Sequence, residues 1–265
     1  KMLFAVLPVT FCKGLFNQNS KFLVITCRKS IFMVLLIYYK SRKVSKLREG
    51  LFVVVDGPDG SGKSKIISEL KIKLENAKYD ILVTKETTMG PIGTLIKSNE
   101  FKGAILAELV AADRLYHLEN DILPALSSGK IVVSDRYVAS SYVCQQLDGV
   151  SLDFIKNINS LIIPPDLSVF VSADISIISE RLSERPYLER MERISTSKMV
   201  ELYKEAVNLF KENKYGYILE LQNNNEVDLK NNIEKIYENI ITCLGDKLWF
   251  DWALQENLVK ICPNI

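Results

Sequence analysis

The chain has 265 residues, enough for one large domain or two small ones, and its apolar and charged fractions of 48% and 25% are ordinary for a globular protein. The net charge of +2 is unevenly distributed, since residues 1–48 contain ten basic and no acidic residues. The remainder therefore carries 24 basic and 32 acidic residues. Such an acidic body argues against general nucleic-acid binding, which needs a basic surface. The five cysteines are scattered and His117 is the only histidine, which argues against a zinc site and a Ser-His-Asp triad and indicates a reducing compartment.

Residues 1–48 form a basic, apolar extension that differs from the rest of the chain. Their longest apolar run, residues 31–39, is too short to span a bilayer. A basic, acid-free segment is typical of an organelle transit peptide, although this one is rich in Lys rather than Arg. A membrane-surface anchor and a poorly ordered extension are the alternatives. We therefore expect a cytoplasmic protein, or an organellar one if the segment is a transit peptide, with no membrane contact outside it.

A glycine-rich loop follows the first predicted strand. The run LFVVV at 51–55 is typical of a parallel strand buried on both faces, and KIISELKIKL carries apolar residues at helical spacing. Between them GPDGSGKS, residues 57–64, fits the pattern G-x-x-x-x-G-K-[ST], whose backbone N–H groups face a phosphate at a helix N-terminus. We expect Lys63 to reach the β- and γ-phosphates of a nucleoside triphosphate and the Ser64 hydroxyl to bind Mg²⁺. The predicted phosphate-binding residues are Gly57, Asp59, Gly60, Ser61, Gly62, Lys63, Ser64 and Lys65.

Strand and helix patterns alternate from residue 51 to about residue 223. Further strands are predicted at 80–86, 130–137, 166–174 and 215–221. Helices are predicted at 103–126, 196–213 and 228–244. The segment 103–126 is either one helix or two helices with a break near Pro124, and His117 is interpreted as a helix residue within it. The alternation predicts an α/β, three-layer fold of P-loop NTPase type, with a parallel sheet covered by helices on both faces. This domain is expected over residues 49–244, followed by a C-terminal tail at 245–265.

Charged residues follow two more of the predicted strands. Because ligands bind at the carboxyl ends of the strands in such a sheet, we expect Glu86 and the pair Asp135–Arg136 to lie near the glycine-rich loop. Asp135 is a candidate ligand for Mg²⁺, directly or through water. Arg136 can bind an anionic oxygen bidentately. A structural ion pair is the alternative interpretation of these two residues.

Five blocks in the correct order resemble the thymidylate kinases, the P-loop enzymes that phosphorylate dTMP from ATP. They are the glycine-rich loop with Asp59, TKETTMGPIG at 84–93, LVAADR ending at Arg114, SDRYVASSYVCQQ at 134–146 and the arginine-rich segment at 181–193. The resemblance covers residues 50–221. It implies that ATP, with Mg²⁺, donates its γ-phosphoryl group to a nucleoside monophosphate, of which dTMP is the first candidate.

The resemblance also implies roles for single residues. Arg136 would hold the acceptor phosphate, Asp59 the 3′-OH of the sugar, and Arg114 with Ser141 the edge of the base. The full acceptor-binding set is predicted as Asp59, Glu86, Val110, Arg114, Arg136, Ser140, Ser141, Cys144 and Gln145.

Three positions depart from the family pattern. Val110 stands where the family has an aromatic residue that stacks on thymine, and Cys144 stands where it has a tyrosine that lies against the sugar. Lys85, Glu86 and Thr87 replace its Arg-Glu-Pro. These departures do not affect the residues of the phosphate chemistry. They leave more than one choice for the base and the sugar of the acceptor.

The segment 181–193 alternates Arg with Glu. As a bare pattern this is a solvated helix with i,i+4 ion pairs, but Pro186 should interrupt such a helix and so favours a lid that brings an arginine over the phosphates. The family supplies this arginine from the loop or from the lid. The loop position is Gly60 here, so the resemblance implies the lid, with Arg185 or Arg190. The predicted catalytic residues are Lys63, Arg136, Arg185 and Arg190.

Three functions remain to be compared. The first is a dTMP kinase, and the second is a related P-loop kinase acting on another nucleoside monophosphate or on a deoxynucleoside. The third is a regulatory nucleotide-binding protein, against which the complete loop and Asp135–Arg136 argue. A GTPase would need an N-K-x-D motif, which the chain lacks. By analogy with the family, we expect a homodimer formed through the helix that carries Val110.

Overall fold

The computed structural model describes residues 50–186, 195–213 and 215–255, with side chains up to position 247. The predictions for residues 1–48, and for Arg190, lie outside the described residues. The strands are β1 Leu51–Asp56, β2 Ile81–Lys85, β3 Ile131–Asp135, β4 Leu167–Ser172 and β5 Tyr217–Gln222. The helices are α1 Lys63–Asn76, α2 Pro91–Lys97, α3 Gly103–His117, α4 Leu123–Ser127, α5 Val138–Leu147, α6 Leu152–Ile158, α7 Ile175–Ser183, α8 Thr196–Asn213 and α9 Glu226–Gln255.

The strands form one parallel sheet in the order β2-β3-β1-β4-β5. Strand β1 lies in the middle, where Val53 is paired with Val133 on one side and with Leu167 on the other. All six residues of β1 are buried, as expected for a continuous apolar run covered on both faces. The predicted α/β fold, with a parallel sheet between two helical layers, is confirmed.

Alternate residues of β1 enter two different apolar cores. Phe52 and Val54 pack with residues of α4, α5, α6 and α8 on one face of the sheet. Leu51, Val53 and Val55 pack with α1 and α9 on the other face. Since successive side chains of a strand point to opposite faces, this short run anchors both helical layers and fixes the position of the loop that follows it.

The helices differ from the predicted pattern in three places. The predicted helix at 103–126 is a continuous helical path in which a π-helical turn, Leu118–Ile122, joins α3 to α4. Pro124 lies in the first turn of α4, where its missing N–H is tolerated. Helix α9 runs to Gln255 and therefore includes about half of the segment assigned to a tail. The short helices α2, α5 and α6 and most of α7 were not predicted.

Helix α7 ends at Ser183, shortly before Pro186, which agrees with the expectation that this proline interrupts a continuous helix. Within the described ranges, no helix is both long enough and apolar enough to cross a membrane.

An aromatic cluster holds α8 against the sheet. The Phe210 ring makes edge-to-face contacts with Phe170, Tyr142 and Tyr215, at centroid distances of 5.3, 6.1 and 4.9 Å. Phe210 is 1% exposed. Replacing it by Ala should lower the free energy of unfolding by about 3–5 kcal/mol, because a buried ring is exchanged for a cavity. Urea unfolding measures this loss, with Ile72→Ala, at a 55% exposed position, as the control that should change stability little. Equal losses in the two variants would contradict the packing described here.

Candidate active site

The carboxyl ends of β1, β2 and β3 open into one cavity of about 920 Å³. Its walls contain most of the predicted site residues: Asp59, Gly60, Gly62, Lys63, Ser64, Lys65, Glu86, Val110, Arg114, Asp135, Arg136, Ser140, Ser141, Cys144, Gln145 and Arg185. Gly57 and Ser61 lie in the loop but do not line the cavity. The volume suits a nucleotide-sized ligand. The blocks that are far apart in the sequence therefore meet around one space.

The loop between β1 and α1 needs glycine for two reasons. Gly57 and Gly60 have φ angles of 143° and 81°, which non-glycine residues rarely adopt. Neighbouring backbone is also very close. A Cβ atom at position 57 would lie 2.0 Å from the Val171 carbonyl oxygen, and one at position 60 would lie 3.0 Å from the Ile178 carbonyl oxygen. The loop is thus pressed between β4 and α7, and its path is set by contacts as well as by backbone freedom.

Lys63 is folded into this loop. Its side chain is 5% exposed, and Nζ donates hydrogen bonds of 2.8 Å to the carbonyl oxygens of Gly57 and Pro58. The carboxylate of Asp59 lies 3.8 Å from Nζ. Burial, assisted by the positive charge of Arg136, lowers the pKa of Lys63 to about 8. The ammonium group is therefore short of compensating negative charge, which a polyphosphate would supply.

Asp56, the last residue of β1, is the centre of the polar network beneath the loop. It is 1% exposed. Oδ1 accepts hydrogen bonds from the Gly57 N–H, the Ser140 hydroxyl and the Tyr203 hydroxyl, and Oδ2 accepts from the N–H groups of Tyr137 and Ser140. This one carboxylate joins the phosphate loop to the N-terminus of α5 and to α8. The sequence analysis missed it, although an acidic residue ending an apolar strand before the loop was a visible signal.

Arg136 lies between the loop and α5, with a positive φ of 72°. Nη2 is ion-paired with Asp59 Oδ1, and Nη1 donates to the hydroxyls of Ser140 and Tyr203 at 3.1 and 3.2 Å. Burial alone would raise the pKa of Asp59, but Arg136 and Lys63 hold it below its usual value. Arg136 thus pairs with Asp59 rather than with Asp135, the partner in the alternative interpretation.

Arg114 and Glu86 form a buried pair at the far end of the cavity. The guanidinium is 1% exposed, and its Nε donates to Glu86 Oε2 at 2.8 Å. Nη2 donates to the Ser141 hydroxyl at 2.8 Å and Nη1 to Asn159. The structure brings together Glu86, Arg114 and Ser141, as the sequence predicted. It adds Asn159, from the end of α6, which the sequence gave no reason to include.

Ser64 and Asp135 are the candidate Mg²⁺ ligands, and both line the cavity. One carboxylate oxygen of Asp135, Oδ1, is buried and has no hydrogen-bond partner in the described part of the chain. The other oxygen, Oδ2, is 3.6 Å from Lys85 Nζ. A carboxylate oxygen left without a donor, beside a hydroxyl and a phosphate loop, fits the oxygen ligands that Mg²⁺ prefers.

A second cavity of about 490 Å³ is lined by Gly62, Lys65 and the start of α9, and it shares Gly62, Lys65 and Arg181 with the larger cavity. Arg181 of α7 lines it and donates to the carbonyl oxygens of Gly60 and Asn223, at 3.1 and 3.0 Å. The Asn223 side chain donates to the Ser61 carbonyl oxygen at 2.8 Å. Arg181, which the sequence analysis placed in the arginine-rich segment, is thus bonded to the phosphate loop.

Comparison with known proteins agrees with this geometry. The family model described as thymidylate kinase matches residues 55–233. The chain is 42% identical over 158 residues to a probable thymidylate kinase of Pyrobaculum aerophilum, covering 57% of this chain and 80% of the relative. It is 32% identical over 203 residues to a probable thymidylate kinase of Caldivirga maquilingensis, covering 74% and 94%. A thymidylate kinase of Finegoldia magna is 31% identical over 206 residues, covering 73% and 97%.

The Asp56 network can be tested by Asp56→Asn. The amide keeps the shape but turns an NH₂ group towards hydrogen-bond donors, so we expect the free energy of unfolding to fall by about 1–3 kcal/mol. Urea unfolding measures this. The control is Asp80→Asn, because Asp80 is exposed and pairs only with Lys130 at 3.3 Å among the ion pairs of the described residues, so little change is expected. An Asp56→Asn variant as stable as the control would show that the carboxylate charge does not hold the loop.

Proposed function

The chain belongs to the thymidylate kinase family, whose members convert dTMP to dTDP, and we propose that its two cavities hold the ATP donor and the dTMP acceptor of that reaction. The observation that carries the proposal is the continuity of the larger cavity. It joins Lys63 and Ser64 of the phosphate loop to the Arg114–Glu86 pair, and Arg136 also lines it. A donor phosphate and a nucleoside monophosphate therefore fit into one space.

The donor lies across the phosphate loop in this proposal. Its phosphates contact the loop from Gly57 to Lys65, and Lys63 exchanges its two carbonyl partners for the β- and γ-phosphates. The adenosine part enters the second cavity, beside Arg181. Gly57 and Ser61, which do not line the larger cavity, set the path of the loop, since their carbonyl oxygens accept from Lys63 and Asn223.

The acceptor occupies the rest of the larger cavity. Arg136 binds its phosphate, Asp59 its 3′-OH, and Arg114 with Ser141 the edge of its base. Arg136 is already oriented by Asp59, Ser140 and Tyr203, so little side-chain ordering remains to be done when the acceptor binds. The remaining wall is formed by Glu86, Val110, Ser140, Cys144 and Gln145.

Phosphoryl transfer in this site needs charge neutralisation rather than a general base, because the attacking phosphate oxygen is already anionic. Lys63 and Arg136 supply positive charge from the two sides, and Arg185 lines the same cavity. Arg190, the other candidate from the lid, stays a prediction. Ser64 and Asp135 would hold Mg²⁺, which would offset part of the negative charge on the donor phosphates.

Four expectations from the sequence stay predictions. They are the homodimer, the domain limits, the role of residues 1–48, and a cytoplasmic or organellar location. The departures at Val110 and Cys144 also leave the choice between dTMP and a related acceptor to experiment.

The reaction is tested by following ADP release from ATP and Mg²⁺ with dTMP, dUMP, UMP, dCMP, dGMP and thymidine. We expect dTMP to be preferred, and Lys63→Ala to lower kcat by at least about a hundredfold, because it removes a charge from the transferring group. Lys71→Ala is the control, since Lys71 pairs with Glu75 on the exposed face of α1. Preference for another acceptor would overturn the substrate. ATP binding without turnover of any acceptor would leave a nucleotide-binding protein.

The position of the acceptor can be tested by comparing how dTMP protects two cysteines from alkylation. Burial raises the pKa of both Cys144 and Cys243 to about 11, but Cys144 lines the larger cavity and Cys243 lies in the core formed by α9. Both thiols should alkylate slowly, which peptide mass spectrometry can follow at about pH 9. We expect dTMP at about twenty times its dissociation constant to slow alkylation of Cys144 about twentyfold and to leave Cys243 unchanged. Equal effects on both cysteines would place the acceptor elsewhere.

A further inference from the structure

The only histidine of the chain lies fully buried beside the acceptor end of the cavity. His117 is the last residue of α3, as expected for a helix residue. Its Nε2 atom is 2.6 Å from the Thr84 hydroxyl. Its Nδ1 atom is 3.6 Å from Glu86 Oε1, and neither of these two atoms has a hydrogen-bond partner among the described residues. Two buried polar atoms therefore face each other just beyond hydrogen-bonding distance.

The partners determine where the imidazole carries its proton. The Thr84 hydroxyl can donate to Nε2 or accept from it. A lone pair on Nδ1 would repel the carboxylate oxygen of Glu86, whereas an N–H at Nδ1 attracts it. The hydroxyl therefore donates to Nε2, and Nδ1–H points the histidine's only remaining donor towards Glu86. The charged groups that face this contact are Glu86 itself and Arg114.

The Glu86 carboxylate is thus shared between two residues of one helix. Oε2 is bonded to Arg114, and Oε1 faces His117, which lies almost one turn further along α3. Asp113, next to Arg114, accepts hydrogen bonds from the N–H and the hydroxyl of Thr88, at 2.8 and 2.7 Å. Helix α3 therefore holds Glu86 and Thr88 of the segment after β2 through Arg114 and Asp113, and His117 faces the same Glu86 carboxylate without a hydrogen bond.

We propose that His117 is a positioning residue for the acceptor: its Nδ1–H bonds to Glu86 Oε1 when dTMP enters the cavity, and so fixes the Arg114 guanidinium at the base. This inference rests on the proposed acceptor site. Leaving two buried polar atoms unpaired costs free energy, so a small shift of the Glu86 carboxylate that pairs them is favourable. Arg114 links this shift to the acceptor, because the same carboxylate accepts a hydrogen bond from the guanidinium that meets the base.

Two substitutions distinguish the contributions of the two nitrogen atoms of the His117 ring. His117→Asn keeps an N–H group near the position of Nδ1, and His117→Gln keeps a polar atom near the position of Nε2 but places no donor at Nδ1. We expect His117→Gln to raise KM for dTMP about tenfold, as for the loss of one hydrogen bond to a charged group, with kcat and KM for ATP within about twofold of the parent chain. His117→Asn should restore most of the affinity for dTMP. Equal effects of the two variants, or a fall in kcat with KM for dTMP unchanged, would refute the positioning role.

The unsubstituted chain provides a measurement that does not depend on how the variants fold. Because the chain has one histidine, ¹⁵N-histidine labelling gives a single imidazole spectrum. We expect a protonated Nδ1, a downfield shift of its proton on addition of dTMP, and no such shift with ATP alone. An unprotonated Nδ1, or a proton that dTMP leaves unmoved at saturation, would overturn the inference. A chain that neither binds nor phosphorylates dTMP would instead refute the proposed function, so the two failures are distinguishable.

Discussion

The site depends on one buried carboxylate. Asp56 accepts hydrogen bonds from the loop that follows it, from the N-terminus of α5 and from α8, and so joins three segments that are far apart in the sequence. A buried charge is costly unless it is fully hydrogen-bonded, and here each of its oxygens is satisfied. Removing any one donor would leave the charge less well compensated. The positions of the phosphate loop, Arg136 and Tyr203 therefore depend on one another.

A second constraint holds the phosphate loop itself in place. Gly62, Lys65 and Arg181 line both cavities, and the loop between them is tied down by hydrogen bonds: Arg181 and Asn223 donate to two of its carbonyl oxygens, and Lys63 donates to two more. Such a loop has little freedom to move when a ligand binds on either side.

Local sequence was sufficient to predict the strands and the phosphate loop. It was insufficient to predict the long-range contacts that hold them in position. The five strands of the described sheet were predicted within about two residues of their ends, because buried parallel strands are continuous apolar runs. Glu86 was expected near the loop because it follows a strand, but its grouping with Arg114 and Ser141 was predicted only through the family resemblance, since nothing in their spacing reveals that they touch. Tyr203 and Asn223 were missed because their partners are up to 162 positions away in the chain. The short helices α2, α5 and α6 lack a long apolar stripe.

The close approach of α7 to Gly60 limits how this enzyme can change. A side chain at position 60 would meet the Ile178 carbonyl oxygen and the Leu182 side chain, at a backbone angle that only glycine adopts readily. The family places an arginine either in the loop or in the lid. In this chain a loop arginine would be opposed by both the backbone angle and the helix above it. A loop arginine in this chain would therefore require a shift of α7 as well, so that a single substitution at position 60 would not be enough to introduce it.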